Sequence, residues 1–237
     1  MAWIILAIIL FFASYFTVTF MDPNLAIISM ISVILFALPS YYYLFKSTRN
    51  WLKIIISISI LAYIIETIGI LTGFPYTSFE YTELMGYKIL GVTPIALPFA
   101  FVPLVIGAVY LAQNLRKTWK KIMLAVAILV ITDLILDPAA VSLGIWIWEI
   151  NGLYYGVPFV NFLGWILTGT ISVLIFRHFE TKKIKKESLA SLYLTVSFWT
   201  GAAMWLNLWI PFIIGIIFTG YMTYIFYKKW NKNAMNY

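Results

Sequence analysis

The chain has no cysteine, little charge and a single histidine. Only 11% of its 237 residues are charged and 63% are hydrophobic, whereas a soluble domain carries about 25% charged residues. This composition indicates an integral membrane protein. The absence of cysteine excludes disulfides, a thiolate nucleophile and cysteine-ligated metals, and one histidine, His178, does not support a zinc or haem site. No glycine-rich phosphate loop is present, so we expect neither a metal nor a cofactor.

The basic residues are arranged by side of the membrane. A net charge of +7 and a pI near 9.4 would suit a nucleic-acid partner, but the basic residues form no continuous face or arginine-rich arm, so none is expected. Fifteen of the 16 fall in four short clusters after every second apolar stretch, and Lys88 lies opposite. The clusters are Lys46, Arg49 and Lys53; Arg116, Lys117, Lys120 and Lys121; Arg177, Lys182, Lys183, Lys185 and Lys186; and Lys228, Lys229 and Lys232. The positive-inside rule places these clusters and both termini in the cytoplasm.

The chain divides into apolar stretches long enough to cross a bilayer, which takes about 20 helical residues. They lie near 3–20, 25–45, 54–72, 94–113, 122–141, 159–177, 188–206 and 210–227. We divide the last two at Asn207 and Pro211, because proline breaks a helix. The first has no basic leader and no small-residue cleavage site, so we interpret it as a retained span. We predict an all-α, multi-pass bundle of about eight transmembrane helices in the cell membrane, one integral membrane domain over 1–237 with a catalytic core at about 54–177.

Three carboxylates, Glu66, Asp133 and Asp137, lie inside these apolar stretches. A carboxylate in hydrocarbon is costly, so it is paired, protonated or facing a cavity, and it marks a functional site by default. Asp133 and Asp137 share one helix face at i and i+4, and Glu66 lies at a similar depth. Since two close carboxylates in a low dielectric do not both ionise easily, we expect one of them to hold a proton beside a basic partner. General acid–base chemistry needs that combination.

Two long loops face away from the basic clusters, near 73–93 and 142–158, and are rich in glycine, proline and aromatic residues. We interpret them as caps over a cavity. For any single aromatic the better interpretation is an aromatic belt at the lipid interface, whereas the whole cluster of Trp146, Trp148, Tyr154, Tyr155 and Trp165 favours a pocket. Each loop follows an acid-bearing span, which suggests a parallel duplication of a two-helix unit. Pro138 either kinks its helix and frees the Leu134 carbonyl or simply ends the helix. Asn161 is either a helix-packing residue or one that orients an acid or a water.

A set of residues between Glu66 and Trp165 resembles a known family, the carotenoid hydratases of the bisanhydrobacterioruberin hydratase and carotenoid 1,2-hydratase type. The matching residues are Glu66, Gly69, Thr72, Gly73, Pro75, Tyr81, Gly86, Gly91, Val92 and Pro98, then Asp133, Asp137, Pro138, Trp146, Trp148, Gly152, Tyr154, Tyr155, Gly156, Val157, Pro158, Asn161, Phe162, Gly164 and Trp165. The chain departs from the family at Pro75-Tyr76-Thr77-Ser78-Phe79-Glu80-Tyr81, where Pro-Phe-Gly-x-Tyr-x-Tyr is common, and at Phe101, where Trp is frequent. These departures bear on the end group of the substrate.

The resemblance implies a cofactor-independent hydro-lyase that adds water across the terminal carbon–carbon double bond of an acyclic carotenoid, giving a tertiary alcohol. Its partners would be that carotenoid or a related polyene lipid, water and membrane lipid. Asp133 or Asp137 would donate the proton, with the other aspartate and Glu66 as base or electrostatic partner. The residues expected to bind substrate are Tyr81, Trp146, Trp148, Tyr154, Tyr155, Asn161 and Trp165.

Three alternatives stay open. A membrane lycopene cyclase or another isoprenoid end-group enzyme would protonate the same end group but quench the cation internally. The paired glutamates that we associate with such cyclases are missing, since Val160 and Asn161 follow Phe159. A proton-coupled transporter also uses intramembrane acids, but it predicts an inverted repeat instead of a parallel one. A structural subunit would use the acids for helix packing.

Overall fold

The chain folds into a bundle of eight α-helices, as seen in a computed structural model that describes residues 1–234, the last six of them by backbone alone. The helices are α1 (Ala2–Phe20), α2 (Ala26–Phe45), α3 (Trp51–Thr72), α4 (Leu97–Ala112), α5 (Thr118–Ser142), α6 (Phe159–Phe179), α7 (Ala190–Trp205) and α8 (Trp209–Ala234). The predicted all-α membrane bundle is confirmed. Asn207, with φ of 60°, lies in the turn between α7 and α8, where the long apolar region was divided. The Lys229 and Lys232 side chains of the last basic cluster lie outside the described residues.

The helices differ in length according to their place in the bundle. Six are long and apolar enough to cross a bilayer, whereas α4 and α7 have 16 residues each, or about 24 Å of helix. Eleven of the 16 residues are buried in both α4 and α7. These two short helices form the centre of the bundle, and the longer helices present large apolar side chains outward.

Glycines let the central helices approach their neighbours closely. A Cβ at Gly201 of α7 would lie 2.0 Å from the Phe11 carbonyl oxygen of α1, and one at Gly107 of α4 would lie 2.5 Å from Cβ of Leu192 in α7. Small residues at such crossings are typical of membrane helices, which pack by van der Waals contact because lipid supplies no hydrophobic drive between them. The backbone of α7 is therefore fixed against both α1 and α4.

The loops that carry the basic clusters meet at one end of the bundle, which we call the basic side. Asn50 donates from Nδ2 to the Phe179 carbonyl at 2.8 Å, which joins the start of α3 to the end of α6. The Lys185 amide donates to Ser47 Oγ at 3.1 Å, which joins the segment before α7 to the end of α2. Both bonds place the turn after α2 beside the segment after α6, in agreement with the alternating topology.

At the opposite end, which we call the loop side, the two long loops pair with each other. Strand β1 (Phe79–Tyr81) follows α3, and two short strands, β2 (Lys88–Ile89) and β3 (Thr93–Pro94), pair before α4. Strand β4 (Trp146–Trp148) follows α5 and pairs antiparallel with β1, with Phe79 opposite Trp148 and Tyr81 opposite Trp146. Strand β1 begins at the same distance after Glu66 as β4 begins after Asp133. The register of the pair is therefore symmetric, which agrees with the predicted parallel repeat of the α3–α4 and α5–α6 units.

Replacing two glycines separates close helix packing from general helix effects. Because a Cβ at position 201 meets the α1 backbone, we expect Gly201→Ala to lower the free energy of unfolding by about 1–3 kcal/mol. Gly220 of α8 is exposed, and a Cβ added to it would meet no atom within 4 Å, so Gly220→Ala should be neutral or stabilising by up to about 1 kcal/mol. Thermal unfolding in detergent measures both, and equal stabilities for the two variants would contradict the proposed α1–α7 contact.

Candidate active site

The three intramembrane acids converge near the loop side of the bundle. Asp133 and Asp137 project from α5 and are 0% and 3% exposed, and Glu66 projects from α3 and is half-buried. The two aspartates lie within hydrogen-bonding reach of each other, and Glu66 is close enough to interact electrostatically with both. We call these three residues the acid cluster. Helices α3 and α5 thus supply one group of carboxyls.

A single amide joins the two aspartates. Asn161, in the first turn of α6, donates from Nδ2 to Asp133 Oδ2 at 2.8 Å and to Asp137 Oδ2 at 2.6 Å. The amide is 2% exposed, and it has the two N–H groups that this bridge needs. Helix α6 begins directly after Pro158, which has no N–H to leave unsatisfied at the helix start. The start of α6 therefore fixes the relative position of the two carboxyls.

One oxygen of Asp133 is left over. Oδ1 is buried and accepts no hydrogen bond from an N–H or hydroxyl group within the described part of the chain, and the neighbouring Asp137 carboxyl is within hydrogen-bonding reach of Asp133. Buried polar atoms are almost always hydrogen-bonded, so such an exception marks a place where a ligand, water or reacting group belongs. The cluster thus combines two carboxyl oxygens held by Asn161 with one that is available for chemistry.

Glu66 is held from the loop side by Tyr81. Tyr81 is the last residue of β1, and its hydroxyl donates to Glu66 Oε1 of α3. Burial raises the pKa of Tyr81 well above its ordinary value, and the adjacent Glu66 raises it further. Tyr81 therefore keeps its proton and remains a donor to the Glu66 carboxyl. This placement links a predicted binding residue directly to a predicted catalytic acid.

Tyr76 lies between α3 and α6, and sequence reasoning did not select it. Its ring occupies a slot between two glycines: a Cβ at Gly69 of α3 would lie 2.8 Å from the ring, and one at Gly164 of α6 would lie 2.2 Å from it. Its hydroxyl lies 2.8 Å from Thr168 Oγ1 and is close enough to interact electrostatically with all three acids. The signal that could have found it is the pair of glycines beside the acids, both of which belong to the family resemblance.

Aromatic side chains from the two paired loops cover the acid cluster. Phe79 and Trp148 have ring centroids 4.9 Å apart, and Tyr81 and Trp146 have theirs 5.8 Å apart. We call Tyr76, Phe79, Tyr81, Trp146 and Trp148 the aromatic cap; they form one cluster, with Trp165 packed against its edge. The rings of Trp165 and Phe101 of α4 have centroids 5.6 Å apart. Phe101, where the family often has Trp, therefore lies beside a predicted binding residue.

The two neighbouring tyrosines of the second loop have separate contacts. Helix α5 continues through Pro138 to Ser142, so the interpretation of Pro138 as a helix terminator is wrong. The Leu134 carbonyl that Pro138 frees accepts a hydrogen bond from the Tyr154 hydroxyl at 3.0 Å. Burial is the main cause, and the neighbouring Tyr155 a smaller one, that raises the pKa of Tyr154 to about 12. The Tyr154 hydroxyl therefore keeps its proton and stays a donor. Tyr155 instead reaches α8, where its hydroxyl accepts from the Ile210 amide at 3.4 Å.

Metal binding has no preformed site in the part of the chain that the structure describes. There, no group of three or more His, Asp or Glu side chains is arranged to hold a metal ion. The carboxyls of the acid cluster are instead engaged with an amide and a phenol. The arrangement suits the holding and transfer of a proton.

Comparison with known proteins gives two matches. The sequence profile described as "Carotenoid biosynthesis protein" matches residues 22–222. Bisanhydrobacterioruberin hydratase of Haloarcula japonica is 33% identical over 170 residues, which cover 67% of this chain and 58% of the relative. The chain thus spans about 58% of the length of the curated relative that it matches. No solved structure matches the chain at a significant level.

Removing the amide that joins the aspartates should destabilise the fold. In Asn161→Leu both buried carboxyls lose a donor, and we expect the free energy of unfolding to fall by about 2 kcal/mol or more. The control is Asn114→Leu in an exposed turn on the basic side, where we expect a change below about 0.5 kcal/mol. Thermal unfolding in detergent measures both variants. An Asn161→Leu protein as stable as the control would contradict the bridge.

Proposed function

The chain belongs to the carotenoid biosynthesis protein family, and from this premise we propose that it is a hydro-lyase that adds water across the terminal carbon–carbon double bond of an acyclic carotenoid. The observation that carries the proposal is the acid cluster, in which Asn161 holds Asp133 and Asp137 together beside Glu66. Hydration of an unactivated alkene needs an acid strong enough to protonate carbon and a base to receive a proton from water. Both are supplied by adjacent carboxyls that share a proton.

Asp133 is the proposed proton donor. Its Oδ2 accepts a hydrogen bond from Asn161, whereas its buried Oδ1 accepts none from an N–H or hydroxyl group of the described residues. An alkene carbon forms no ordinary hydrogen bond, so an acid without such a partner at one oxygen suits it. In the first step the π electrons of the alkene form a bond from the less substituted carbon to the carboxyl proton of Asp133, and the O–H bond of the carboxyl breaks. The carboxyl becomes a carboxylate, and the positive charge is left on the tertiary carbon.

Water then captures the cation. Its oxygen forms a bond to the tertiary carbon and its surplus proton passes to a carboxylate, for which Asp137 and Glu66 are the candidates. Transfer of that proton within the hydrogen-bonded cluster restores the acid form of Asp133. The sum is one alkene and one water converted into one tertiary alcohol, with no oxidant, reductant or cofactor consumed.

The aromatic cap supports the cationic intermediate. The face of an aromatic ring attracts a cation, and the attraction is stronger where water is excluded. The Tyr76 hydroxyl interacts electrostatically with the three acids, and Trp146 packs on Tyr81, which is hydrogen-bonded to Glu66. In this proposal the cap stabilises the tertiary cation with the nearby carboxylates and limits the water that reaches it.

The test is expression in a host that makes an acyclic carotenoid, followed by mass analysis of the pigment. We expect a product heavier by one water, or by two if both ends react. Asp133→Asn and Asp137→Asn should each lower the rate by about 100-fold or more, the usual contribution of a general acid or base. Glu80→Gln is the matched control, because Glu80 is exposed at the centre of β1, and it should retain full activity.

An assay of the purified protein in deuterated water separates hydration from cyclisation. Hydration predicts one deuterium bound to carbon together with the mass of an added water. A product that gains the deuterium without the water would identify an end-group cyclase instead. Unchanged pigment from folded protein, across several acyclic carotenoids, would contradict both reactions. Full activity of Asp133→Asn would contradict the proposed role of Asp133 as proton donor.

A further inference from the structure

A small cavity opens on the basic side, at the far end of the bundle from the acid cluster. It lies between the ends of α4, α5 and α6, under the segment that leads from α6 towards α7, and its volume is about 30 Å³. Four cations line it: Lys121 of α5, Arg177 of α6, and Lys182 and Lys183 of the covering segment. We call this cavity the basic pocket.

The walls of the basic pocket are held in place by the fold. Gln113, at the end of α4, donates from Nε2 to the Ile184 carbonyl at 3.3 Å and accepts from the Ile184 amide at 2.9 Å. This pair of bonds fixes the covering segment over the cavity. The deeper wall is apolar and buried, with Val173 and Phe176 each 1% exposed. The pocket is therefore shaped before any ligand arrives, with charge at its mouth and hydrocarbon behind.

The positive charge of the basic pocket is poorly compensated. Glu180 is the lining carboxylate, and one of its oxygens already accepts the Lys182 backbone amide at 2.6 Å. Among the side chains that the structure describes, none of the four pocket cations forms an ion pair within 4.0 Å, whereas Lys88 on the loop side does so with Glu83. Like charges in a concave site repel unless an anion enters it, and such a site concentrates anions from solution.

We propose that the basic pocket binds the phosphate group of an anionic membrane lipid. Arginine and lysine around a cavity match phosphate oxygens, and a basic pocket between membrane helices on the positively charged side is suited to an anionic headgroup. The pocket lies at the helix ends, the depth at which headgroups are found.

The binding test uses native mass spectrometry of the full chain in detergent, titrated with phosphatidylglycerol and with phosphatidylcholine of the same acyl chains. We expect phosphatidylglycerol to bind as a discrete stoichiometric adduct. The pocket variant carries Lys121→Gln with Arg177→Gln, and we expect its apparent affinity for phosphatidylglycerol to fall about tenfold or more. The matched control carries Arg116→Gln with Lys117→Gln, which removes two charges from exposed positions on the same side, and it should bind as the unmodified protein does.

Each outcome bears on the proposal. Equal losses in the pocket and control variants, or equal binding of the zwitterionic lipid, would mean diffuse surface charge and would overturn it. If inorganic phosphate forms an adduct that the pocket variant loses while phosphatidylglycerol forms none, the source is a free anion and the lipid proposal is overturned. Size-exclusion elution and thermal unfolding check that the pocket variant folds. If it does not, Lys182→Gln with Lys183→Gln, at exposed positions of the covering segment, takes its place with the same expected loss.

Discussion

The bridge from the Asn161 amide to Asp133 and Asp137 is the interaction on which the site depends. Two carboxyl groups inside an apolar bundle are tolerated only if donors or protons satisfy them. One amide nitrogen supplies both aspartates, so α6 must begin at the depth of the second half of α5. Pro158 starts the helix there, and Gly169, whose Cβ would lie 3.0 Å from a Leu129 methyl, lets α6 pack closely on α5. The chemistry and the helix packing are therefore set by the same contact.

The second constraint is that side chains of the two loops on the loop side must reach the acid cluster inside the bundle. Tyr81 reaches Glu66 and Tyr76 fills the slot between Gly69 and Gly164, so residues outside the helices complete a site within them. The symmetric pairing of β1 and β4 ties these loops together. Glu66 and Asp133 stand at corresponding places before those strands, and in the predicted parallel repeat the site would lie at the junction of the two units. Membrane proteins with internal repeats commonly bind their substrates at such a junction.

The helices and the acids could be predicted from the sequence because each depends on local chemistry. An apolar stretch of bilayer length must form a helix, and Asp133 and Asp137 share a face at any pitch close to the α-helical one. Tyr76 could not be predicted in this way, since its position depends on two glycines nearly a hundred residues apart meeting in space. The same holds for Tyr155, which follows Tyr154 directly yet contacts α8, and for the basic pocket, which needs three helix ends and a linker to come together. Hydropathy and spacing carry no information on such distant contacts.

The central claim is that the aspartate pair holds an exchangeable proton inside the membrane-spanning bundle. Infrared spectroscopy of the protein in a detergent without ester groups at neutral pH tests it directly, because a protonated carboxyl absorbs apart from carboxylates and amides. We expect a protonated-carboxyl band that shifts in deuterated water, disappears or is strongly altered in Asp133→Asn, and persists in Glu80→Gln. A spectrum without such a band, or a band that survives unchanged in both Asp133→Asn and Asp137→Asn, would contradict the claim.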